Sequence, residues 1–476
     1  MGNSVAEKQD AAFAFAKNLA KVRYEDLPPE AVESTKTAIL NHIGTAIAAS
    51  TTVPVCKQMV ELAEEMGGKK ESTIIAYGVK VPCYMAAFVN AALAHGLNFG
   101  DHSDEYSLHT GVAVFPAAFA VAERMGNVSG KEFITAFTLG TDMMIRLARA
   151  FQQKATRNWV DYGWWHGQML EYFPAAAVAG RLLGLEEDKI VKAIGLAYAQ
   201  TAGTIESLSG VGANKEIYSS YPAMTGVISA LMAQRGISGP INSFEGKAGL
   251  FNVYFQGEYE SEPLTRDLGK KFEGTTVGFS AYPCSASTHA YIQIALQIAE
   301  AHKIRPDDVE AVTVFIGLKE KSFRNCEPLQ VRRNPTKISE AQMSLPFAVA
   351  TALVKGKPSL KHFVNEGFKD AEILRLSNKV TYQVDPQYGH RSGSAMFRPA
   401  IELKMTDGRI LREDQEIYRL GNPKNPMSNE EHVEKFRDCA SYAVKPLTID
   451  RLEEAVKMLT DLENVDDVSR IIRLVS

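Results

Sequence analysis

Through most of the first 240 residues, apolar positions recur at three- and four-residue spacing, the pattern of helices that bury one face. The stretch 11–22 shows it, and the pair Pro28-Pro29 then precedes a second periodic run over 31–49. A single β-branched segment, Ser72-Thr73-Ile74-Ile75-Ala76, interrupts the series. The spacing predicts further helices over 81–96, 131–151 and 174–185. Small residues crowd these runs, as in Ala86-Ala87-Phe88-Val89-Asn90-Ala91-Ala92-Leu93-Ala94, and they suit helices packed closely together.

Near residue 265 the texture changes. Alternation and β-branching over 311–316 predict a strand, and 380–384 and 400–405 read alike. Asp407-Gly408 is a hairpin turn signal leading into 409–412. Helical runs persist at 290–301 and 340–353, and 449–476 is helical again. The pattern therefore predicts an all-α body, an α+β segment and a closing helical stretch able to rejoin the body. No internal repeat is apparent.

Composition narrows the function classes. With 476 residues, 45% of them hydrophobic and 23% charged, the chain has an ordinary globular make-up and length for two or three domains. A formal charge of −4 provides neither a basic field for nucleic acid nor a polybasic membrane anchor. No run approaches 18 uninterrupted apolar residues, and the acidic, weakly apolar start does not read as a signal peptide, so a cytoplasmic protein is expected. The five cysteines (Cys56, Cys83, Cys284, Cys326, Cys439) are scattered and form no C-x-x-C. That argues against a disulfide framework, a structural zinc site or an iron–sulfur cluster.

Polar groups gather inside apolar surroundings in three places. In the first, three imidazoles (His95, His102, His109), three carboxylates (Asp101, Asp104, Glu105) and the amide of Asn98 fall within 15 residues, between an Ala-rich helix and an apolar run. Acid–base chemistry needs such groups at helix ends, with tuned proton affinities. A solvated loop with Asp101 and Asp104 as helix N-caps is the plainer account, but it does not require so many histidines. A divalent ion held by His102, Asp104 and His109 is a weaker reading, because their spacing follows no ligand motif. The second place, Ser207-Leu208-Ser209-Gly210-Val211-Gly212-Ala213-Asn214-Lys215-Glu216, lacks a phosphate-loop pattern; Lys215 reads as an anion holder or as a surface lysine on a turn. The third is Tyr282-Pro283-Cys284-Ser285-Ala286-Ser287-Thr288-His289, where Ser287 or Thr288 is expected to cap a helix with His289 in its first turn. Beside these, Tyr162-Gly163-Trp164-Trp165-His166 is polar and aromatic before a helix, which core packing explains equally well.

Two ordered sets of residues resemble a known family. One is Glu71-Ser72-Thr73-Ile74-Ile75-Ala76-Tyr77-Gly78 followed by the run from Ala87 through His95-Gly96-Leu97-Asn98-Phe99-Gly100-Asp101. The other is Tyr282-Pro283 with Thr288-His289-Ala290, then Pro335 and Ala341-Gln342-Met343-Ser344-Leu345-Pro346-Phe347. In this order they resemble the MmgE/PrpD family, whose members include 2-methylcitrate dehydratase, cis-aconitate decarboxylase and iminodisuccinate epimerase. The resemblance implies a mainly α protein with an α+β lid: a large all-helical domain built from both chain ends (1–267 and 406–476) and a smaller α+β domain (268–405). It implies a homodimer, an active site between the domains, a small carboxylic acid as substrate, and no metal, flavin or nucleotide; with the charge balance, no nucleic acid or membrane partner is expected.

The resemblance carries over unevenly. The decarboxylase-like members end the helix in Asp-Phe-Asp-Asp-Thr, where this chain has Asn98-Phe99-Gly100-Asp101-His102. Asn98 thus replaces an acid and His102 a threonine, while His109 matches the later histidine of that loop, Lys215 the family lysine and His289 the shared Thr-His. Ser280 and Ser285 fall where a lysine and a histidine are expected, and His166 matches a Phe-His segment. The implied site therefore has Asp101, His102, His109, Lys215 and His289 as catalytic groups, and Asn98, Tyr162, His166 and Ser285 as substrate-binding groups. These departures argue against an ordinary cis-aconitate decarboxylase; because more of the family's named activities are lyases, the resemblance implies a dehydratase-like lyase, with an epimerase or a non-catalytic binding protein as alternatives.

Overall fold

The computed structural model describes residues 9–152, 163–209, 215–317, 324–390 and 395–476, and in it the periodic runs are helices. By contact the chain divides into two units, and it passes from one to the other four times. The first unit takes in the chain up to Gly96, Leu108–Val277 and Lys435–Ser476; the second takes in Leu97–Ser107 and Gly278–Glu434. The sequence division at 267 and 405 differs from this. Residues 406–434 group with the second unit because Ile410–Asp414 is a strand of its sheet.

In the first unit, local chemistry sets the helix starts. Asp10 caps Ala11–Lys21 by accepting the Ala12 N–H at 2.9 Å, and prolines open Pro29–Thr52 and Pro54–Met66, where their missing N–H costs nothing. Pro29–Thr52 is buried along most of its length, its polar residues Thr35, Asn41, His42 and Thr45 included. The small residues act as the pattern suggested: a Cβ on Gly226 would stand 2.6 Å from the Ala175 backbone, so Ser220–Gln234 and His166–Leu182 approach as closely as backbones allow. The closing stretch rejoins this core. Gly130 N–H donates to Val465 O at 2.7 Å, Val468 N–H donates to Val128 O at 2.9 Å, and Ile449–Thr460 packs on Pro29–Thr52. Among the described residues no single helix is long and apolar enough to cross a membrane.

The second unit is built on a four-stranded sheet in the order Ile410–Asp414, Ala400–Met405, Val309–Ile316, Val380–Val384. The first two pairings are antiparallel and the last is parallel. The expected Asp407-Gly408 turn joins the first pair, with Gly408 at φ +89°. Helices Ala286–His302 and Leu345–Lys355 pack together, and the former also packs on the strands.

Three expected helices differ in extent. The run 174–185 belongs to His166–Leu182, with Pro174 inside the helix rather than at its start. The run 340–353 is two helices, Ile338–Gln342 and Leu345–Lys355, because Ser344 Oγ accepts the Phe347 N–H at 2.9 Å and starts a new one. The run 449–476 is likewise split by the turn Leu462–Asn464.

Candidate active site

The polar loop after the Ala-rich helix Cys83–His95 is shared between the units: His95 and His109 belong to the first, Asn98, Asp101, His102 and Asp104 to the second. In the first unit His95 is buried, with Nδ1 3.1 Å from Ser219 Oγ and Nε2 3.0 Å from the Tyr218 hydroxyl. The His109 ring meets it edge-on at a centroid distance of 4.8 Å. Ser219 Oγ donates to Glu171 Oε1 at 3.2 Å. His166, fully buried at the start of His166–Leu182, lies between the rings of Phe151 (5.6 Å) and Trp165 (5.2 Å). Lys215 opens the short turn Lys215–Ile217. Tyr162, and residues 210–214 of the glycine-rich loop, lie outside the described residues.

In the second unit Asp101 and His102 form a two-residue strand paired with Gly278–Phe279, so Asp101 caps no helix. Asp104 caps none either. Its carboxylate accepts from three side chains: Arg419 Nε at 2.7 Å, Asn422 Nδ2 at 2.8 Å and His102 Nδ1 at 2.9 Å. Burial alone would raise the proton affinity of Asp104. The Arg419 charge, followed by the His102 and Asn422 bonds, more than reverses this and holds the carboxyl well below the usual carboxylate range. An ionised carboxylate only accepts, so His102 donates to it from Nδ1, and in the neutral ring the basic lone pair is then on Nε2. A base held in one tautomer by a buried carboxylate is suited to taking a proton from carbon.

His289 is fully buried and donates from Nε2 to the Cys284 carbonyl at 3.2 Å, with its ring 5.1 Å from that of Tyr282. Its helix begins two or three residues earlier than expected: Ser285 occupies the N-cap, and Ser287 and Thr288 lie inside Ala286–His302. Ser285 Oγ is 3.0 Å from Ser287 Oγ, and the Asn325 amide donates to both, at 3.3 and 2.5 Å. Asn98 sits at φ +49°, a left-handed conformation that asparagine tolerates, and its amide points at Met343 Sδ, 4.0 Å away.

Among the described residues, no group of three or more His, Cys, Asp or Glu is placed to share a metal ion. The cysteines are buried and unlinked. Burial pushes the Cys83 thiol up to about 11 and those of Cys326 and Cys439 to about 12, so these sulfurs stay protonated and are poor ligands.

The residues that organise the site were less visible in sequence than those that populate it. Arg419 stands 315 positions from Asp104, in the irregular stretch Tyr418-Arg419-Leu420-Gly421-Asn422. Glu171 did leave a trace: a carboxylate between Leu170 and Tyr172, in a helix buried on every side, must have a polar partner.

Comparison with known proteins covers nearly the whole chain. The chain is 25% identical to cis-aconitate decarboxylase of Aspergillus terreus, over 97% of its own length and 94% of the relative's. It is 23% identical to cis-aconitate decarboxylase of Homo sapiens, over 96% and 92%. It is 22% identical to 2-methylcitrate dehydratase of Salmonella typhi, over 87% of each chain. The MmgE/PrpD N-terminal domain matches residues 14–262 and the MmgE/PrpD C-terminal domain residues 282–461. With both domains matched in order along nearly all its length, the chain belongs to the MmgE/PrpD family.

Proposed function

We propose that this chain is a cofactor-independent acid–base lyase of the 2-methylcitrate dehydratase kind, acting on a small di- or tricarboxylic acid. The observation that carries the reading is His102, held by the buried, ionised Asp104 with its basic nitrogen at Nε2. Its relatives, named as decarboxylases and dehydratases, support a lyase. Asn98, Ser280 and Ser285, which stand where the resemblance expects an acid, a lysine and a histidine, favour dehydration over cis-aconitate decarboxylation.

In this reading an imidazole, His102 or His109, removes a proton from the carbon next to a carboxylate. The electron pair of the broken C–H bond becomes the new carbon–carbon π bond as hydroxide leaves the adjacent carbon, and the hydroxide departs as water after taking a proton from the acid partner. Asp101 joins this exchange. Lys215 and His166 hold the substrate carboxylates and the developing negative charge, and His289 completes the set of groups. An epimerase is the second reading: His102, standing where the resemblance expects a threonine, supplies a second acid–base group, which return of a proton to the opposite face needs.

Proton NMR in D₂O tests both, with citrate, 2-methylcitrate, cis-aconitate, malate-like hydroxyacids and iminodisuccinate-like amino diacids, each repeated with chelator. A new olefinic product with loss of the α-proton (a vinyl signal, or from 2-methylcitrate the collapse of the methyl doublet to an allylic singlet), unaffected by chelator and slowed about 10²–10⁴-fold in His102→Gln, is the expected result. Deuterium wash-in without an olefinic product establishes the epimerase instead. A decarboxylated product from cis-aconitate overturns the dehydratase assignment, and silence across the panel favours a binding protein.

A further inference from the structure

A directed series of hydrogen bonds runs through the first unit behind His109. Glu171 is 2% exposed, and Ser219 Oγ gives it the one hydroxyl proton across 3.2 Å. The Ser219 oxygen must then accept, and His95 Nδ1 at 3.1 Å supplies the proton. A neutral imidazole protonated on Nδ1 has its lone pair on Nε2, where the Tyr218 hydroxyl stands at 3.0 Å and donates. Every bond therefore points the same way, from Tyr218 through His95 and Ser219 to Glu171. His95 in turn packs edge-to-face on His109, with ring centroids 4.8 Å apart. Two imidazolium rings at that separation repel, so His109 accepts a proton readily only while His95 stays neutral.

We propose that His95 is a positioning residue for His109: a neutral Nδ1–H imidazole, locked by Tyr218, Ser219 and Glu171, that fixes the His109 ring and leaves the incoming proton to it. This inference rests on the acid–base reading of His109 given above. It does not require His95 to touch the substrate. Its effect falls on the rate of proton transfer and not on substrate affinity.

The test uses the full-length protein labelled with ¹⁵N-histidine. Long-range ¹H–¹⁵N spectra report the protonation of each ring nitrogen, and His95 is assigned by the signal lost in His95→Gln. The expected wild-type signature at neutral pH is Nδ1–H with an unprotonated Nε2. In Glu171→Leu, Ser219 loses its acceptor, its hydroxyl proton turns to His95 Nδ1, and the ring changes to the Nε2–H form. In that variant kcat falls about tenfold or more while KM stays within about threefold, and Glu171→Gln, whose amide oxygen can still accept from Ser219, recovers part of the loss. Tyr218→Phe provides a second reading if Glu171→Leu does not fold: Nδ1–H remains, Nε2 loses its donor and kcat again falls without KM. A wild-type His95 in the Nε2–H or cationic form refutes the lock, as does a Glu171→Leu protein with tautomer and kcat unchanged. Inactivity across the substrate panel with the expected tautomer refutes the acid–base reading and leaves the lock standing, whereas the opposite tautomer in an active enzyme refutes the lock alone.

Discussion

Replacing Arg419 by methionine removes the guanidinium that stands 2.7 Å from Asp104 but keeps a long apolar stem in its place. The two side chains are 0% and 1% exposed, so water does not screen the pair. Removing one partner of such a pair costs about 3–5 kcal/mol, because Asp104 keeps its charge with only His102 and Asn422 to answer it. The Phe279 carbonyl also loses the Arg419 donor at 2.9 Å, which adds about 1 kcal/mol. Arg419→Met is therefore expected to lose about 4–6 kcal/mol, read from urea unfolding followed by circular dichroism near neutral pH. Asp104→Asn strands the arginine instead and is expected to cost about 3–5 kcal/mol, while the double variant falls short of the sum by about 2 kcal/mol or more. The pH dependence has a fixed sign. Asp104 is less readily protonated folded than unfolded, so its stabilisation is present above about pH 4 and fades as the pH falls; the gap between wild type and Arg419→Met must narrow on acidification. Single variants within about 1 kcal/mol of wild type, an additive double variant, or a gap that widens in acid would refute the reasoning.

Two further perturbations probe the frames around the site. Glu273 takes a bidentate pair of bonds from Arg149 at 2.7 and 2.8 Å; burial opposes its charge, but Arg149 and Lys271 hold its carboxyl below the ordinary glutamate range. Glu273→Gln is expected to cost about 3 kcal/mol near neutral pH, with the difference from wild type closing below about pH 4 in the same urea assay. Gly421 sits at φ +89°, and a Cβ there would fall 2.0 Å from the Phe279 oxygen that accepts from Arg419. Gly421→Ala is expected to lose about 2–4 kcal/mol by differential scanning calorimetry, and a variant as stable as wild type would show that this turn is not held as described.

What was legible in the sequence was whatever has a local cause. Helix periodicity, the strands at 311–316, 380–384 and 400–405, and the Asp407-Gly408 turn are encoded within a few residues of where they appear, and each is found. Helix starts were read less well where a proline or serine has two possible roles. Pro174 sits mid-helix because the apolar run continues on both sides of it, whereas Ser344 breaks a run by capping. In the polar loop, the density of imidazole and carboxylate drew attention to Asp101, His102 and His109, but the feature that orders His102 depends on Arg419 from a distant, aperiodic segment. Nothing in the local pattern pairs residues so far apart. Likewise His95 was visible as one histidine among three, and its tie to Glu171 through Ser219 appears only when two helices and a short turn are packed together.

The order in which the chain visits its two units constrains how it matures. One face of Pro29–Thr52 is covered by Ile449–Thr460, and the backbone around Gly130 is completed by Val465 and Val468. A chain still being synthesised carries these early helices for the whole time it takes to translate Gly278–Glu434, with an apolar face that has nothing yet to pack against. The four-stranded sheet, whose strands all lie within that later stretch, can form as soon as it emerges. The helical unit is thus the last to close although it is the first to be made, and for that interval its uncovered surface is open to aggregation.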